Sequence, residues 1–302
     1  MNQVKVIVPA TTANIGVGFD CLGAALTMSN EFQFVVVESE TKLKIMVEGA
    51  EAFKVGLGEN NLLYRAMLYL YQQIEQSPPN LEITINLGVP LSRGLGSSAT
   101  AIVGGLLGAN SLAGNPLKHE EIMAMAIALE GHPDNVVPAL LGNCLLSVED
   151  RGTWQVCPIP WHQEIVPVVA IPDFELSTRE ARLVLPNEYS RSDAIFNISR
   201  MGLLLKALET NNIDWLQTAL ADKLHQPYRQ RLITGYQQVE QAAIAAGAYG
   251  VVISGAGPTL LALTNVEQAE SVRESMRAAW AEMDITAEVR SLAIDHTGAK
   301  VF

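Results

Sequence analysis

PLSRGLGSSAT, residues 90–100, lies between a run that reads as a strand at 81–87 and a run of small residues that reads as a helix at 97–113. Gly94 and Gly96 permit backbone conformations closed to residues with a Cβ. Successive N–H groups can therefore turn inward around an anion, and the following helix start adds its positive dipole end. Phosphate is the natural guest. Arg93 at the rim supplies a charge, and the Ser97 and Ser98 hydroxyls supply ligands for phosphate or a metal. No Lys precedes Ser97 or Ser98, so this is not a Walker A loop. Gly94-x-Gly96-x-x-Ala99 matches the dinucleotide fingerprint, but that pattern needs a second parallel strand after the helix, and another helix at 118–129 follows instead. A plain helix cap whose glycines only turn the chain is the remaining alternative.

A second polar island, Glu130-Gly-His-Pro-Asp-Asn135, follows that helix. Glu130 falls at the helix C-terminus, where the macrodipole disfavours a carboxylate, so a compensating cation makes sense of its position; Mg2+ is the obvious candidate. The competing reading is a solvated Glu130 before a simple Pro133-Asp134-Asn135 turn. His132 has no second His or Cys at ligand spacing, so zinc is not expected. Nearer the start, residues 13–23 join Asn14 and Asp20 to several glycines. Asp20 on such a loop can receive an ammonium or hydroxyl group, or serve only as an Asx-turn residue. In the second half, Arg182 and Arg229 can fork onto a carboxylate, or be ordinary surface arginines. Gly255-Ala-Gly257-Pro258, between two apolar strands, is a tight turn that either supports an active-site wall or closes a plain hairpin.

The rest of the chain bounds these readings. With 302 residues, 49% hydrophobic and 17% charged, the composition is that of a soluble enzyme with one large core or two smaller ones. A formal charge of −12 without any basic run argues against nucleic-acid binding. Cys21, Cys144 and Cys157 are widely spaced and form no CxxC pair, which fits a reducing cytoplasm rather than a disulfide framework or thiolate metal site. The first residues lack a secretory pattern, and the most apolar stretch, 101–109, falls well short of the roughly 20 residues that cross a bilayer. Neither export nor a membrane span is expected.

Strands are expected at 4–8, 32–38, 43–48, 81–87 and 144–148, with a helix at 60–76 between the third and fourth. A proline-punctuated passage through Pro158, Pro160, Pro167 and Pro172 marks the domain boundary, giving units 1–155 and 156–302. Beyond it, strands at 166–171, 250–254, 260–264 and 286–292 alternate with helices at 190–208, 213–221, 233–246 and 266–283. Allowing for the extra helix in the first crossover, that is the β-α-β-β-α-β order of a split βαβ sandwich.

Taken together and in order, these segments resemble the GHMP family of small-molecule kinases, and within it the branch that acts on L-homoserine. The matching stretches are VPATTANIGVGFDCLG, PLSRGLGSSAT, EGHPDNVVPALLGN, LSTREARLVLP, QPYRQRLITGY, VVISGAGPTLLAL and AIDHTGAKVF, which span nearly the whole chain. The GLGSSA core points to the superfamily; the first, TREAR and PYR segments point to the branch. The resemblance implies an α+β fold of two domains. The first is similar to the second domain of ribosomal protein S5 and binds ATP; the second is a ferredoxin-like split βαβ sandwich; the active site lies in the cleft between them. It also implies ATP-dependent phosphorylation of the L-homoserine hydroxyl in threonine biosynthesis.

Carried onto this sequence, the resemblance places the ATP phosphates on Pro90, Leu91, Ser92, Arg93, Gly94, Leu95, Gly96, Ser97, Ser98, Ala99 and Thr100, with Asn61 near the adenine. By the same resemblance Ser98 and Glu130 would hold Mg2+, and Asp134 is the candidate base, although late loss of the proton toward phosphate, with no side-chain base, is tenable chemistry. Asn14, Asp20, His132, Asn135, Thr178, Arg182 and Arg229 form the acceptor site. A zwitterion needs an anion for its ammonium and a guanidinium for its carboxylate, which Asp20 and the two arginines offer. The rivals are a kinase of this family for another small alcohol and a ligand-binding protein without turnover. Monomer and homodimer both remain open.

Overall fold

The computed structural model describes residues 2–38 and 41–302. β1 (Gln3–Ala13) runs antiparallel to β2 (Leu22–Val36), with a register shift between Pro9 and Ala10, where proline has no N–H to offer the ladder. β3 (Leu43–Glu48) is joined through α1 (Leu62–Gln73) to β4 (Leu81–Asn86), which lies parallel to it and antiparallel to the second half of β2. Three helices follow without an intervening strand: α2 (Ser97–Leu112), α3 (His119–Glu130) and α4 (Pro133–Leu141). That succession excludes the dinucleotide reading of the glycine loop. The hairpin β5 (Cys144–Asp150) and β6 (Thr153–Ile159) attaches to the start of β2 at Leu22–Ala24.

The second half contains β7 (Val166–Pro172), α5 (Thr178–Leu183), α6 (Arg191–Thr210), α7 (Ile213–Ala219), α8 (Gln226–Arg229), α9 (Tyr236–Ala245), β8 (Gly250–Ile253), β9 (Leu260–Thr264), α10 (Ala269–Ala281) and β10 (Ala287–Ser291). Its four strands form an antiparallel sheet in the order β10-β7-β9-β8, the split βαβ arrangement expected from the sequence. β11 (Lys300–Val301) returns to pair with β1. The first sheet therefore has seven strands, with β11-β1-β2-β4-β3 along its path and β5 and β6 branching from β2.

Burial explains why the second sheet reads as continuous apolar runs. Val168 and Ala170 of β7 pack with Trp280 and Met276 of α10, while Val169 and Ile171 face a different cluster. The same alternation separates Leu260 and Ala262 from Leu261 and Leu263 on β9. Both faces are covered, so the period-2 alternation of one-sided strands is absent. The second of these clusters joins Val169, Val252 and Leu261 to Ile15, Leu22 and Leu26 of the first unit and to Leu204 and Leu216 of α6 and α7. Shared apolar contact thus makes the two sheets one body around a cleft. Helices α1 to α4 cover the first sheet through a separate core around Phe32, Phe34, Met67 and Leu106.

Several local differences from expectation have clear causes. β2 starts at Leu22 rather than near 32, because its first half is Gly-Ala-rich and holds a single β-branched residue, Thr27. The 133–135 turn is the first turn of α4: Pro133 sits at N1, where its missing N–H is harmless, and Pro138 lies inside. α5 carries a capping box in which Ser177 and Glu180 satisfy each other's backbone N–H, a signature visible as S-x-x-E in the sequence. β6 carries the first sheet to Ile159, beyond residue 155, and β11 brings the chain end back to it. We propose that the division between units falls after Ile159, with the C-terminal strand rejoining the first.

Asn30, 1% exposed, is the polar hub beneath the loop: its Nδ2 donates to Thr100 Oγ1 at 2.8 Å, and its Oδ1 accepts the N–H groups of Gly88 and Val89, each at 2.9 Å. Asn30→Ala strands the buried Val89 N–H and loosens the part-buried one of Gly88, and the expected loss is about 1–3 kcal/mol of stability, measured by urea unfolding.

Candidate active site

Residues 91–98 leave β4 and enter α2 along one wall of a cavity of about 500 Å³. Four consecutive carbonyls of this loop are tied to protein donors. Ser92 O accepts from Leu176 N at 3.2 Å, Arg93 O from Thr259 N at 3.2 Å, Gly94 O from Ser254 Oγ at 2.7 Å, and Leu95 O from Thr11 N at 3.1 Å. A trans peptide points its N–H opposite to its C=O. The N–H groups of Arg93, Gly94, Leu95 and Gly96 are thereby aimed away from these anchors, and among the described residues none meets a protein acceptor. Such a row of free amides leading into a helix N-terminus is an anion cradle.

Gly94 has φ +76°, and a Cβ there would meet Ser254 O at 2.2 Å. Gly96, at φ +69°, is the left-handed N-cap of α2. Leu91, Ser92, Arg93, Gly94, Gly96, Ser97 and Ser98 line the cavity. Pro90, Leu95, Ala99 and Thr100 do not: Leu95, Ala99 and Thr100 are fully buried behind the loop, and Thr100 Oγ1 donates to Ser97 O at 2.8 Å.

The Arg93 side chain, 5% exposed, is engaged behind the rim. Its Nε donates to Pro172 O at 2.9 Å, Nη1 to Leu91 O at 2.9 Å and Nη2 to Asp173 O at 2.8 Å. Glu51 and Glu175 lie 3.6 and 3.4 Å from its nitrogens, and Lys54 bridges the same two carboxylates at 2.6 and 2.5 Å. Glu51 also accepts Leu91 N–H at 2.7 Å, and its partners Lys54 and Arg93 hold its carboxyl below the usual range despite the opposing effect of burial. Sequence reasoning missed Glu51, Lys54 and Glu175: Glu51 lies 40 residues from Leu91, whose N–H it accepts, and Lys54 lies 121 residues from Glu175, so no local pattern joins them to the loop.

Asn61 caps α1: Oδ1 accepts from Leu63 N at 3.0 Å, and Nδ2 donates to Gly56 O at 2.7 Å. With Val55, Gly56 and Leu62 it lines the cavity, to which Phe32 and Ile85 add apolar surface. Ser98 Oγ donates to Glu130 Oε1 at 2.5 Å, which joins the N-terminus of α2 to the C-terminus of α3. The other Glu130 oxygen has no protein donor among the described residues. Two convergent hard oxygen donors beside the amide cradle fit a small divalent cation.

The opposite wall carries the remaining candidates. Asn14, His132, Asn135, Thr178, Arg182 and Arg229 all line the cavity. Asn14 Nδ2 donates to Gly255 O at 2.9 Å, and its Oδ1 accepts Asp20 N–H at 2.8 Å, so it braces the Asp20 loop against the Gly255 turn. Asn135 Oδ1 accepts from Thr11 Oγ1 at 2.7 Å. Asp20 and Arg182 form a two-pronged ion pair at 3.0 and 2.7 Å, which raises Arg182 further above its ordinary value. Asp134, 1% exposed, lies outside the cavity lining and takes the His132 Nδ1 hydrogen bond at 2.5 Å. Burial alone pulls the His132 imidazole down, but the hydrogen bond and charge of Asp134, helped by Glu130, carry it above its ordinary value. Asp20, His132 and Asp134 each bring one ligand atom within 4.8 Å of the others, a cationic position that Arg182 serves here.

Arg229 is different. It is 1% exposed; Nε donates to Ala181 O at 3.1 Å and Nη1 to Gly255 O at 3.0 Å, yet no carboxylate among the described residues pairs with it. Burial, followed by the charge of Arg182, pushes it down to about 10. A buried guanidinium facing a cavity without a carboxylate partner has the chemistry to receive an anion.

A row of free backbone amides entering a helix, at a cavity shared with a ferredoxin-like unit, fits the class of small-molecule kinases. The models for the GHMP kinases N terminal domain and the GHMP kinases C terminal domain match residues 61–143 and 204–282. The chain is 63% identical to a homoserine kinase of Crocosphaera subtropica, covering 100% of this chain and 98% of that one. It is 61% identical to a homoserine kinase of Trichormus variabilis, covering 99% of each. A crystal structure of homoserine kinase from Cytophaga hutchinsonii superposes with a TM-score of 0.90 at 29% identity, covering 100% of this chain and 98% of that one. The chain belongs to the homoserine kinase family of the GHMP kinases.

Gly94→Ala forces a Cβ into both a left-handed backbone and the Ser254 carbonyl. The expected result is a KM for ATP raised about tenfold or more, with a smaller change for the acceptor, read from steady-state kinetics.

Proposed function

We propose that this chain transfers the γ-phosphoryl group of ATP to the side-chain hydroxyl of L-homoserine, giving O-phospho-L-homoserine and ADP for threonine biosynthesis. The observation that carries the acceptor assignment is Arg229, a buried cation at the cavity wall that lacks a carboxylate partner among the described residues. The acceptor carboxylate docks on Arg229 and on the outer edge of Arg182, while Asp20 and its neighbour Asp134 provide the negative field for the ammonium. A sugar or another uncharged alcohol has no use for this wall.

The triphosphate lies along the free amides of residues 93–96, and the purine meets the apolar surface beside Asn61 and Val55. Ser98 and Glu130 would hold Mg2+, which when bound neutralises charge on the phosphate oxygens. The hydroxyl oxygen of homoserine attacks the γ-phosphorus, the bond to the β,γ-bridging oxygen breaks, and ADP leaves. Transfer through a loose transition state needs alignment and charge stabilisation more than proton abstraction. The hydroxyl proton passes late to the transferred phosphate. Asp134 acts through His132, whose Nδ1 it holds, so that the Nε2 edge of the ring faces the acceptor. The three unpaired cysteines support a cytoplasmic setting. Among the described residues no helix is long and apolar enough to cross a membrane.

The test is a panel of alcohols with ATP and Mg2+, read as ADP release, in which homoserine turns over faster than threonine, mevalonate and galactose; equal rates across the panel sink the assignment. In the same assay Arg229→Gln raises the KM for homoserine at least about tenfold and leaves that for ATP within about twofold. Glu130→Ala lowers kcat by about a hundredfold or more and flattens its dependence on Mg2+ concentration; an intact metal response would move the cation elsewhere.

A further inference from the structure

Phe19 precedes Asp20 on the acceptor loop and belongs to none of the three apolar clusters of the described residues. Its ring instead meets polar partners. The imidazole of His225 stacks on it with centroids 5.2 Å apart and planes 22° from parallel. The Arg229 guanidinium carbon lies over the ring 5.0 Å from its centroid, and that of Arg182 lies 5.7 Å away. One aromatic ring thus touches both arginines of the proposed carboxylate site.

Two guanidiniums drawn to one ring repel each other, and each needs compensation. Arg182 finds it in Asp20. Arg229 has two carbonyl dipoles and the π face of Phe19. The distinction matters for binding. A carboxylate beside Arg229 would neutralise it and compete with the substrate, whereas an aromatic face attracts the cation through its quadrupole and takes up none of its N–H donors. His225 completes the arrangement without adding charge. It is fully buried, its Nε2 is paired with Gly16 O at 2.8 Å, and burial holds the imidazole below its ordinary value, which favours the neutral ring.

We infer that Phe19 is a positioning residue that, backed by the stacked His225 ring, holds Arg229 and Arg182 side by side as an open receptor for the acceptor carboxylate. The inference rests on the reading that the acceptor carries a carboxylate, and it deepens that reading by naming what keeps the receptor unpaired. Phe19 touches no reacting atom; its effect runs through Arg229. The ring therefore sets acceptor affinity and specificity for amino acids over amino alcohols that lack the carboxylate, and leaves nucleotide binding alone.

The test replaces Phe19 in the full-length enzyme with 4-fluoro-, 3,5-difluoro- and 3,4,5-trifluorophenylalanine, which keep the ring's shape while draining its negative face. The KM for homoserine rises stepwise, reaching about tenfold at the trifluoro ring, as expected for a largely desolvated cation–π contact. The KM for ATP stays within about twofold, and kcat/KM for 3-aminopropan-1-ol, which is homoserine without its carboxylate, does not follow the series. Phe19→Leu, which removes the π face altogether, reproduces the rise for homoserine. A flat homoserine KM across the fluorinated series, or a parallel rise for ATP, overturns the inference. Arg229→Gln separates the two levels of argument. If it raises the homoserine KM while the series is flat, only the role of Phe19 falls; if it leaves that KM unchanged, the carboxylate reading falls and takes this inference with it.

Discussion

The outward anchoring of four successive carbonyls in residues 92–95 is the constraint on which the site depends. An amide cannot be aimed at a ligand by its own side chain; its direction is set by the carbonyl it shares a plane with. Three of the four anchors, Leu176, Thr259 and Ser254, belong to the second unit, so the row of free amides takes its shape only when the two sheets are docked. The apolar cluster shared by Ile15, Leu22, Val169 and Leu261 keeps them docked. Arg93 extends the same logic. Its hydrogen bonds to the carbonyls of Pro172 and Asp173 cross the same junction while a third returns to Leu91 O, with Glu51 and Glu175 balancing its charge. A guanidinium suits this task because its donors are fixed in one plane, which a flexible ammonium cannot imitate.

Much of this was legible in the residue pattern. The strand and helix order of the second unit follows from its apolar runs, and the glycine-serine loop from its composition and its place between β4 and α2. The limits were of one physical kind. Arg93 lies on the loop, but the charge expected at the rim is turned behind it, because the direction of its guanidinium depends on carbonyls 79 and 80 residues away. Asp20 and Arg182 were assigned to opposite ends of a zwitterion, and the structure pairs them with each other across 162 residues. Chemistry and position along an element are local properties; orientation is decided by partners that only the fold brings near. The helix at Pro133–Leu141 is the converse case, since its internal Pro138 hides a local element that packing against the first sheet sustains.

The acceptor wall illustrates why such a site is costly to the fold. Arg229 is removed from water and repelled by Arg182, and the nearest negative charges act on it without forming a salt bridge. Satisfying it internally would be simple, because Asp20 already lies close enough to bind Arg182. The resulting neutral wall would be more stable and would have nothing left to offer a carboxylate. Stability and recognition therefore pull the same side chain in opposite directions, a conflict expected where a binding site is preorganised for a charged ligand. Carbonyl dipoles and an aromatic face resolve it partway: they offset some of the desolvation of the cation while preserving its charge and one donor edge. The Asp20–Arg182 pair does the complementary work. It holds a carboxylate and a guanidinium at the spacing of opposite charges, so these two partly exposed groups compensate each other while the buried Arg229 beside them stays without an ion pair among the described residues.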